Sequence, residues 1–597
     1  MSDYRAPVAD MLFVLREIVG IEGLAQLPGY GDVSLDLVEA VLKEAAKFAG
    51  DVLAPLNATG DREGARWHDG KVVTPNGFTQ AYRQFIEGGW NGVEFPAEIG
   101  GQGLPKAVGA AVREMWAAAN LGFSLILPLN EGAIHAIMVA GSPEQKERFL
   151  PRLVSGEWTG TMNLTEPQAG SDLSAVRTRA EPQGDGSYRL FGQKIFITYG
   201  DHDLAENIVH LVLARTPSAP AGTKGLSLFL VPKFLIGDDG RPGAANDVRC
   251  VSIEHKLGIH ASPTCVIAFG DHGGARGFLV GEENRGLEYM FVMMNSARFA
   301  TGLQGLALAE RAYQKALAYA RERTQGRDVE GGRDSVTIIH HADVRRMLML
   351  MKSQIEAMRS LAYFVAAAYD RAERHPDPQT RARDQSLIDL LMPVIKGWLT
   401  ETGVEVASLG VQVHGGMGYV EETGAAQFLR DVRITTIYEG TTGIQANDLI
   451  GRKVARDGGA SVRSLLETMR GTERELAEAD DPELSAVRVA LGRGLDAVAQ
   501  AVEHLVANYA TQIKLVSVGA VPFLKLLGIV AGGWQLACGA IVAQRRRADP
   551  AADQAFFRAK VSTARFYADH VLAQAPGLAH TVIHGGPGAL ALADEQF

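Results

Sequence analysis

The feature that most constrains the fold is a change of hydrophobic period within one chain. From about residue 158 to 280, short β-rich runs follow one another, separated by turns, at 188–198, 207–214, 226–231 and 264–269. On both sides the period is helical. Val38, Val41, Leu42, Ala45 and Phe48 repeat at helical spacing before the β-rich block, as do Met115, Ala118 and Leu121. After it, Val344, Met347, Leu348, Met351, Ile355, Met358 and Leu361 form one long apolar face. Strands and helices are therefore segregated, and the strand–helix alternation of a dinucleotide-binding sheet is absent. The expectation is an α+β multidomain protein: an N-terminal helical domain over 1–157, a central β-domain over 158–283, a helical-bundle domain over 284–455 and a C-terminal helical extension over 456–597.

The chain has 597 residues, enough for several domains. Its net charge of −10 argues against nucleic acid as the main partner. Cys250, Cys265 and Cys538 are too few and too scattered for a disulfide framework or a metal cluster, so reduced thiols in a cytoplasmic setting are expected. The first twenty residues have neither a basic region leading into a long apolar stretch nor the character of a transit peptide. The apolar run 526–543 contains Gln535 and several glycines and reads as a buried helix, not a membrane span.

Two stretches carry chemistry. The first, 412–454, holds glycine-rich turns, a β-branched run from Val432 to Ile437 that favours extended backbone, and then Tyr438-Glu439-Gly440-Thr441. A helix with Ile444, Leu449, Ile450 and Val454 near one face follows from Gly443, so Glu439 stands at a junction just before a helix. Read alone, it is an acid near a positive helix end. The second stretch is Leu164-Thr165-Glu166-Pro167-Gln168-Ala169-Gly170-Ser171-Asp172. Pro167 fixes a turn, Gly170 permits close approach of the backbone to a ligand, and Thr165 and Ser171 supply hydroxyls. Such a loop suits the polar edge of a planar ring or the oxygens of a phosphate. Adjacent His340 and His341 are not at metal spacing, and no metal site is expected. Gly302 and Gly305 lack the strand and third glycine of a nucleotide loop.

Together these stretches resemble the acyl-CoA dehydrogenase family. Gln412, Gly415, Gly416 and the run through Tyr438-Glu439-Gly440-Thr441 match its Q-x-x-G-G-x-G-[YF] and Y-E-G-T motifs, in order and at the family's spacing. Leu164 to Asp172 match L-T-E-P-x-A-G-S-D, and Gly192 to Thr198 match G-x-K-x-[WFY]-I-T. The resemblance implies an FAD cofactor. Leu164, Thr165 and Gly170 would face the flavin, with Phe196, Ile197 and Thr198 lying against it. Ser171 would reach phosphate or the CoA arm. Arg323, Gln412, Gly415, Gly416 and Thr441 would also hold FAD, some of them that of a neighbouring subunit in a homodimer. Asn295, Arg298 and Gly440 would meet substrate, and Glu439 would be the catalytic base. Three positions depart from the pattern: Phe196 replaces the usual Trp, the motif around Arg323 is one residue shorter, and Gly443 stands where some members have Gln.

The implied reaction is α,β-dehydrogenation of an acyl-CoA thioester to a trans-2-enoyl-CoA. A carboxylate alone removes an α-proton slowly, so the site must stabilise charge on the thioester oxygen. By resemblance, the Glu439 N–H serves that oxygen. The substrate candidates are 3-methylthiopropionyl-CoA and medium- or long-chain acyl-CoA, with an electron-transferring flavoprotein as acceptor. Two rivals are an acyl-CoA oxidase reoxidised by O₂ and a DNA-binding flavoprotein of the same superfamily. The near-balanced charge after residue 455 argues against the second.

Overall fold

The structure is a computed structural model that describes residues 4–479 and 481–597. Along the chain we name helices α1 (Val8–Phe13), α2 (Lys106–Ala119) and α3 (Ile126–Ala140). Strands follow: β1 (Trp158–Asn163), β2 (Arg179–Pro182), β3 (Tyr188–Thr198), β4 (Asn207–Ala214), β5 (Ser227–Pro232), β6 (Val248–Ile253), β7 (Thr264–Phe269) and β8 (Ala275–Val280). Then come α4 (Gly286–Glu322), α5 (Ala342–Arg374), α6 (Pro378–His414), α7 (Ala425–Val432), α8 (Thr442–Asp448), α9 (Ala520–Arg546) and α10 (Gln554–His570). The chain divides into two compact units, one of Lys47–Leu104 and Ala119–Ala300, the other of 4–46, Pro105–Ala118 and the described part of Thr301–Phe597.

The first unit is built on an eight-stranded sheet in the order β6-β7-β3-β8-β5-β4-β1, with β2 also paired to β3. Among the described strands, β1 and β4 pair in parallel and the other strand pairs of this sheet are antiparallel. Every residue of β1, β4 and β5 is buried, as expected of strands covered on both faces. Period-two alternation sorts their side chains. Leu211, Leu213, Leu228 and Leu230 enter a core with Ile134 and Ile137 of α3, while Val212, Ala214, Phe229 and Val231 enter a second core with Leu190, Ile267 and Phe269. The helix Pro143–Ser155 opens on a capping box between Ser142 and Gln145, and the Gln145 amide also donates to the Leu279 carbonyl at 2.9 Å.

The second unit is helical. Gly302 and Gly305 let α4 approach α6 closely: a Cβ at either would lie 2.6 or 2.7 Å from backbone of Ile395 or Leu399. That close crossing is their role. The expected stripe on α5 is core, with Met351, Ile355, Met358 and Leu361 buried. The apolar 526–543 run lies within α9, and 89% of its most apolar window is buried. Gly528 of α9 seats against the Trp398 ring, where a Cβ would be 2.3 Å away.

Burial of charge is the cost of this arrangement, met by pairing. Arg359 on α5 donates to Glu114 of α2 at 2.5 and 3.0 Å, to Glu310 of α4 at 2.7 Å, and to Asp10 of α1. Lys560 of α10 donates to Asp10 and, at 3.0 Å, to Glu356. These charges tie the N-terminal segment into the second unit.

One expected element is overturned. Val432 to Ile437 is not extended. Val432 closes α7, and Arg433–Thr436 forms a 3-10 turn. Packing decides it: Phe428, Val432, Thr435 and Thr436 are buried on one side, and the Thr435 hydroxyl donates to the Val432 carbonyl at 2.7 Å. The helix predicted from Gly443 begins at Thr442 and passes into a π-helical turn over Leu449–Ala455. Leu449, Ile450 and Val454 are buried there, whereas Ile444 is exposed.

Candidate active site

In the first unit the structure brings the two sequence motifs of the β-domain together. The Ile195 N–H donates to the Thr165 carbonyl at 2.9 Å, so the 164–172 loop lies along β3. Lys194, wholly buried, donates to the Leu164 carbonyl at 3.0 Å and to the Glu166 carboxylate at 2.8 Å. Glu166 also accepts from the Arg177 and Thr178 N–H groups at 2.7 and 3.0 Å and from the Thr178 hydroxyl at 2.6 Å. Burial acts to raise the Glu166 pKa, and the Lys194 ammonium with these donors brings it down to about 2. Burial draws Lys194 down to about 8 against the pull of Glu166, so both are charged at neutral pH.

On the solvent side of that framework the polar groups are left available. The hydroxyls of Thr165, Ser171 and Thr198 have no hydrogen-bond partner among the described residues. Space beside Gly170 is open, with nothing within 4 Å of where a Cβ would stand. Phe196 interrupts β3 at a register shift, with φ 59°, and the residue is 59% exposed. A bulge with a non-glycine residue at positive φ re-aims a side chain at a cost in backbone energy, a feature of functional sites. Ile197 returns to the core. Free hydroxyls, open backbone and an exposed aromatic on one loop–strand pair fit the polar edge and face of a flavin. Asn295 and Arg298 lie on the part of α4 in this unit, the first exposed and the second buried.

The second unit assembles another set. Glu439 has φ 56° and Gly440 φ 89°, two left-handed residues in succession, immediately before α8. Thr441 is the N-cap of α8, its hydroxyl accepting the Ile444 N–H at 3.3 Å. Tyr438 donates its hydroxyl to Gln304 of α4. The Gln445 amide donates to the Glu439 carbonyl at 3.1 Å. Elsewhere, Tyr319 of α4 stacks on His414 of α6 with ring centroids 4.5 Å apart. This holds the end of α4, where Arg323 is exposed, beside the end of α6 and its Gly415–Gly416 turn. Gln412, Gly415 and Gly416 are all exposed. Among the described residues no group of three or more His, Cys, Asp or Glu could hold a metal.

Sequence reasoning missed Lys194, Glu166, Gln304 and Gln445 as parts of this architecture. Lys194 and Glu166 stood inside the quoted motifs, and a lysine on the inward-facing phase of a strand is the signal that pointed to a buried pair.

A sheet-based unit and a helical unit that carry these two motif sets define an oxidoreductase class: the chain belongs to the acyl-CoA dehydrogenase family. The family models "Acyl-CoA dehydrogenase, N-terminal domain", "middle domain" and "C-terminal domain" match residues 36–157, 161–272 and 284–454. The model "Acetyl-CoA dehydrogenase C-terminal like" matches 465–593. Among curated relatives, the 3-methylmercaptopropionyl-CoA dehydrogenase of Ruegeria pomeroyi is 51% identical over 574 residues, covering 96% of each chain. The broad-specificity linear acyl-CoA dehydrogenase FadE5 of Mycobacterium tuberculosis is 36% identical, also over 96% of each. The solved structure of Caenorhabditis elegans ACDH-11 in complex with C11-CoA shares the fold at a TM-score of 0.77 and 20% identity, covering 96% of this chain and 92% of that one. An acyl-CoA dehydrogenase from Bacillus anthracis complexed with FAD does so at 0.75 and 20% identity, covering 94% and 90%.

Proposed function

We propose that the protein is an FAD-dependent acyl-CoA dehydrogenase converting an acyl-CoA thioester to a trans-2-enoyl-CoA, with 3-methylthiopropionyl-CoA the first candidate substrate. The observation that carries the reading is the Glu439–Gly440 turn, a carboxylate on a strained backbone at a helix start. The identity to the Ruegeria pomeroyi relative supports the substrate class.

Glu439 removes the α-proton onto its carboxylate, and its peptide N–H steadies the negative charge growing on the thioester oxygen. When bound, FAD supplies the two-electron acceptor for the β-hydride. Leu164, Thr165, Gly170, Phe196, Ile197 and Thr198 hold and orient the flavin, with the loop made rigid by Lys194 and Glu166. Ser171, Asn295, Arg298 and Gly440 position the acyl-CoA. Thr441 contacts FAD, and Arg323, Gln412, Gly415 and Gly416 serve the FAD of a second subunit in a homodimer. The division into domains 1–157, 158–283, 284–455 and 456–597 belongs to the same reading.

An electron-transferring flavoprotein is the acceptor that this family membership favours. Three free cysteines support a reducing, cytoplasmic setting. Arg545 and Arg546 are engaged with Glu475 and Glu17 at 2.5 Å, which leaves little free charge there for nucleic acid. A panel of acyl-CoAs scored by kcat/KM with an artificial electron acceptor tests the function. The expected result is turnover highest for 3-methylthiopropionyl-CoA, with medium- or long-chain acyl-CoA the alternative. Fast peroxide formation when the substrate-reduced protein meets air would instead make it an oxidase.

A further inference from the structure

The turn that carries Glu439 is built against the backbone's own preference. Gly440 adopts φ 89° readily, but Glu439 at φ 56° has a Cβ that crowds the backbone in the left-handed region. Such a residue persists only where its surroundings hold it. On either side the chain is pinned: Tyr438 donates to Gln304, and the Thr442 hydroxyl donates to Glu401 at 2.5 Å. Gln445, in the first turns of α8 and 1% exposed, reaches the strained residue itself, its Nε2 donating to the Glu439 carbonyl at 3.1 Å.

The orientation of that amide is forced. A carbonyl oxygen only accepts, so Nε2 must face Glu439 and Oε1 must turn inward. There Oε1 is buried without a partner among the described residues. A side chain needed only to fill space would be apolar, since burying an unpaired acceptor is unfavourable. What position 445 supplies is therefore the N–H. Gly440 keeps room for it: a Cβ there would lie 2.7 Å from Gln445 Nε2.

We infer that Gln445 is a positioning residue for the reaction, holding the Glu439–Gly440 turn left-handed and thereby aiming both the carboxylate and the peptide N–H of Glu439. The inference rests on the reading of Glu439 as the base, and the test separates the two.

The holoenzyme variant Gln445→Met keeps length and burial but removes the donor. FAD content and melting temperature should stay near wild type, while anaerobic flavin bleaching by acyl-CoA falls about 10- to 100-fold, the scale of a small misplacement of reacting groups. Calorimetry should show weaker binding of acyl-CoA thioester but unchanged binding of free CoA, which lacks the oxygen that the Glu439 N–H meets. Added to Glu439→Gln, Gln445→Met should cost less than it does alone, because the peptide N–H remains to be aimed but the base does not. Wild-type bleaching, equal weakening of thioester and CoA, or losses that multiply fully in the double variant would each overturn the inference. If Glu439→Gln alone bleaches normally, the base assignment fails, and the thioester-to-CoA affinity ratio still judges Gln445. Should Gln445→Met fail to fold, Gln445→Asn, which withdraws the amide by one methylene, is held to the same ratio.

Discussion

The ammonium of Lys194 bonds at once to the Glu166 carboxylate and to the Leu164 carbonyl, 2.8 and 3.0 Å away. Strand β3 thus holds the loop 28 to 30 residues before it by a single buried cation. Because Lys194 is 0% exposed, the pair is not screened like a surface ion pair, and removing one partner strands the other.

Lys194→Met should therefore cost about 3–5 kcal/mol, the usual penalty for breaking a buried pair. The loop that carries Thr165 and Ser171 should loosen before the rest of the unit melts. The ratio of flavin to protein absorbance after purification should fall, with thermal unfolding beginning earlier. Wild-type flavin content would show that the pair does not support the cofactor loop.

Acid should act on the same pair. The folded Glu166 carboxyl titrates near 2, below its ordinary 4.5, so its contribution to stability is full above about 4.5 and is lost as pH falls towards about 2. Glu166→Gln should flatten that part of the stability curve relative to wild type. Equal slopes for the two proteins between pH 4.5 and 2 would place the acid sensitivity elsewhere.

In the helical unit, Arg359→Met would leave Glu114 and Glu310 facing one another without their shared cation. A loss of about 3–5 kcal/mol is expected. Burial already pushes the Glu114 carboxyl up from its usual value, so the variant should regain stability as pH is lowered and that carboxyl protonates. Thermal melts at two pH values check the sign.

Much of this was legible in the chain, and the exceptions share a cause. Strands 188–198, 207–214 and 264–269 lie where the β-rich runs put them, and 226–231 is displaced by one residue. Their signal is local. The run from Val432 failed because β-branched propensity is weaker than the burial of Phe428 and Thr435 on a helical face. The placement of residues 4–46 with the helical unit rests on Asp10 meeting Arg359 and Lys560, 349 and 550 residues away. No local pattern encodes such a meeting. Likewise, the motif around Glu439 was readable, but its left-handed backbone and the reach of Gln445 are tertiary facts.

The exposed Arg323, Gln412, Gly415 and Gly416 predict a homodimer. Beside them Met417 and Tyr419 are 48% and 89% exposed, an apolar surface that a second subunit would cover. Light scattering at assay concentration should give about twice the 64.0 kDa of the chain. A fully active monomer would reject the shared-cofactor reading.

The base is the central claim, and Glu439→Gln tests it most directly. The amide keeps the shape of the side chain and removes the proton acceptor. Anaerobic stopped-flow at the flavin absorbance band, normalised to FAD content, should show bleaching by acyl-CoA slowed by at least about 100-fold, the low end for a positioned base, with folding and flavin content retained. Bleaching within a few-fold of wild type would contradict the account and send the search for the base to another helix.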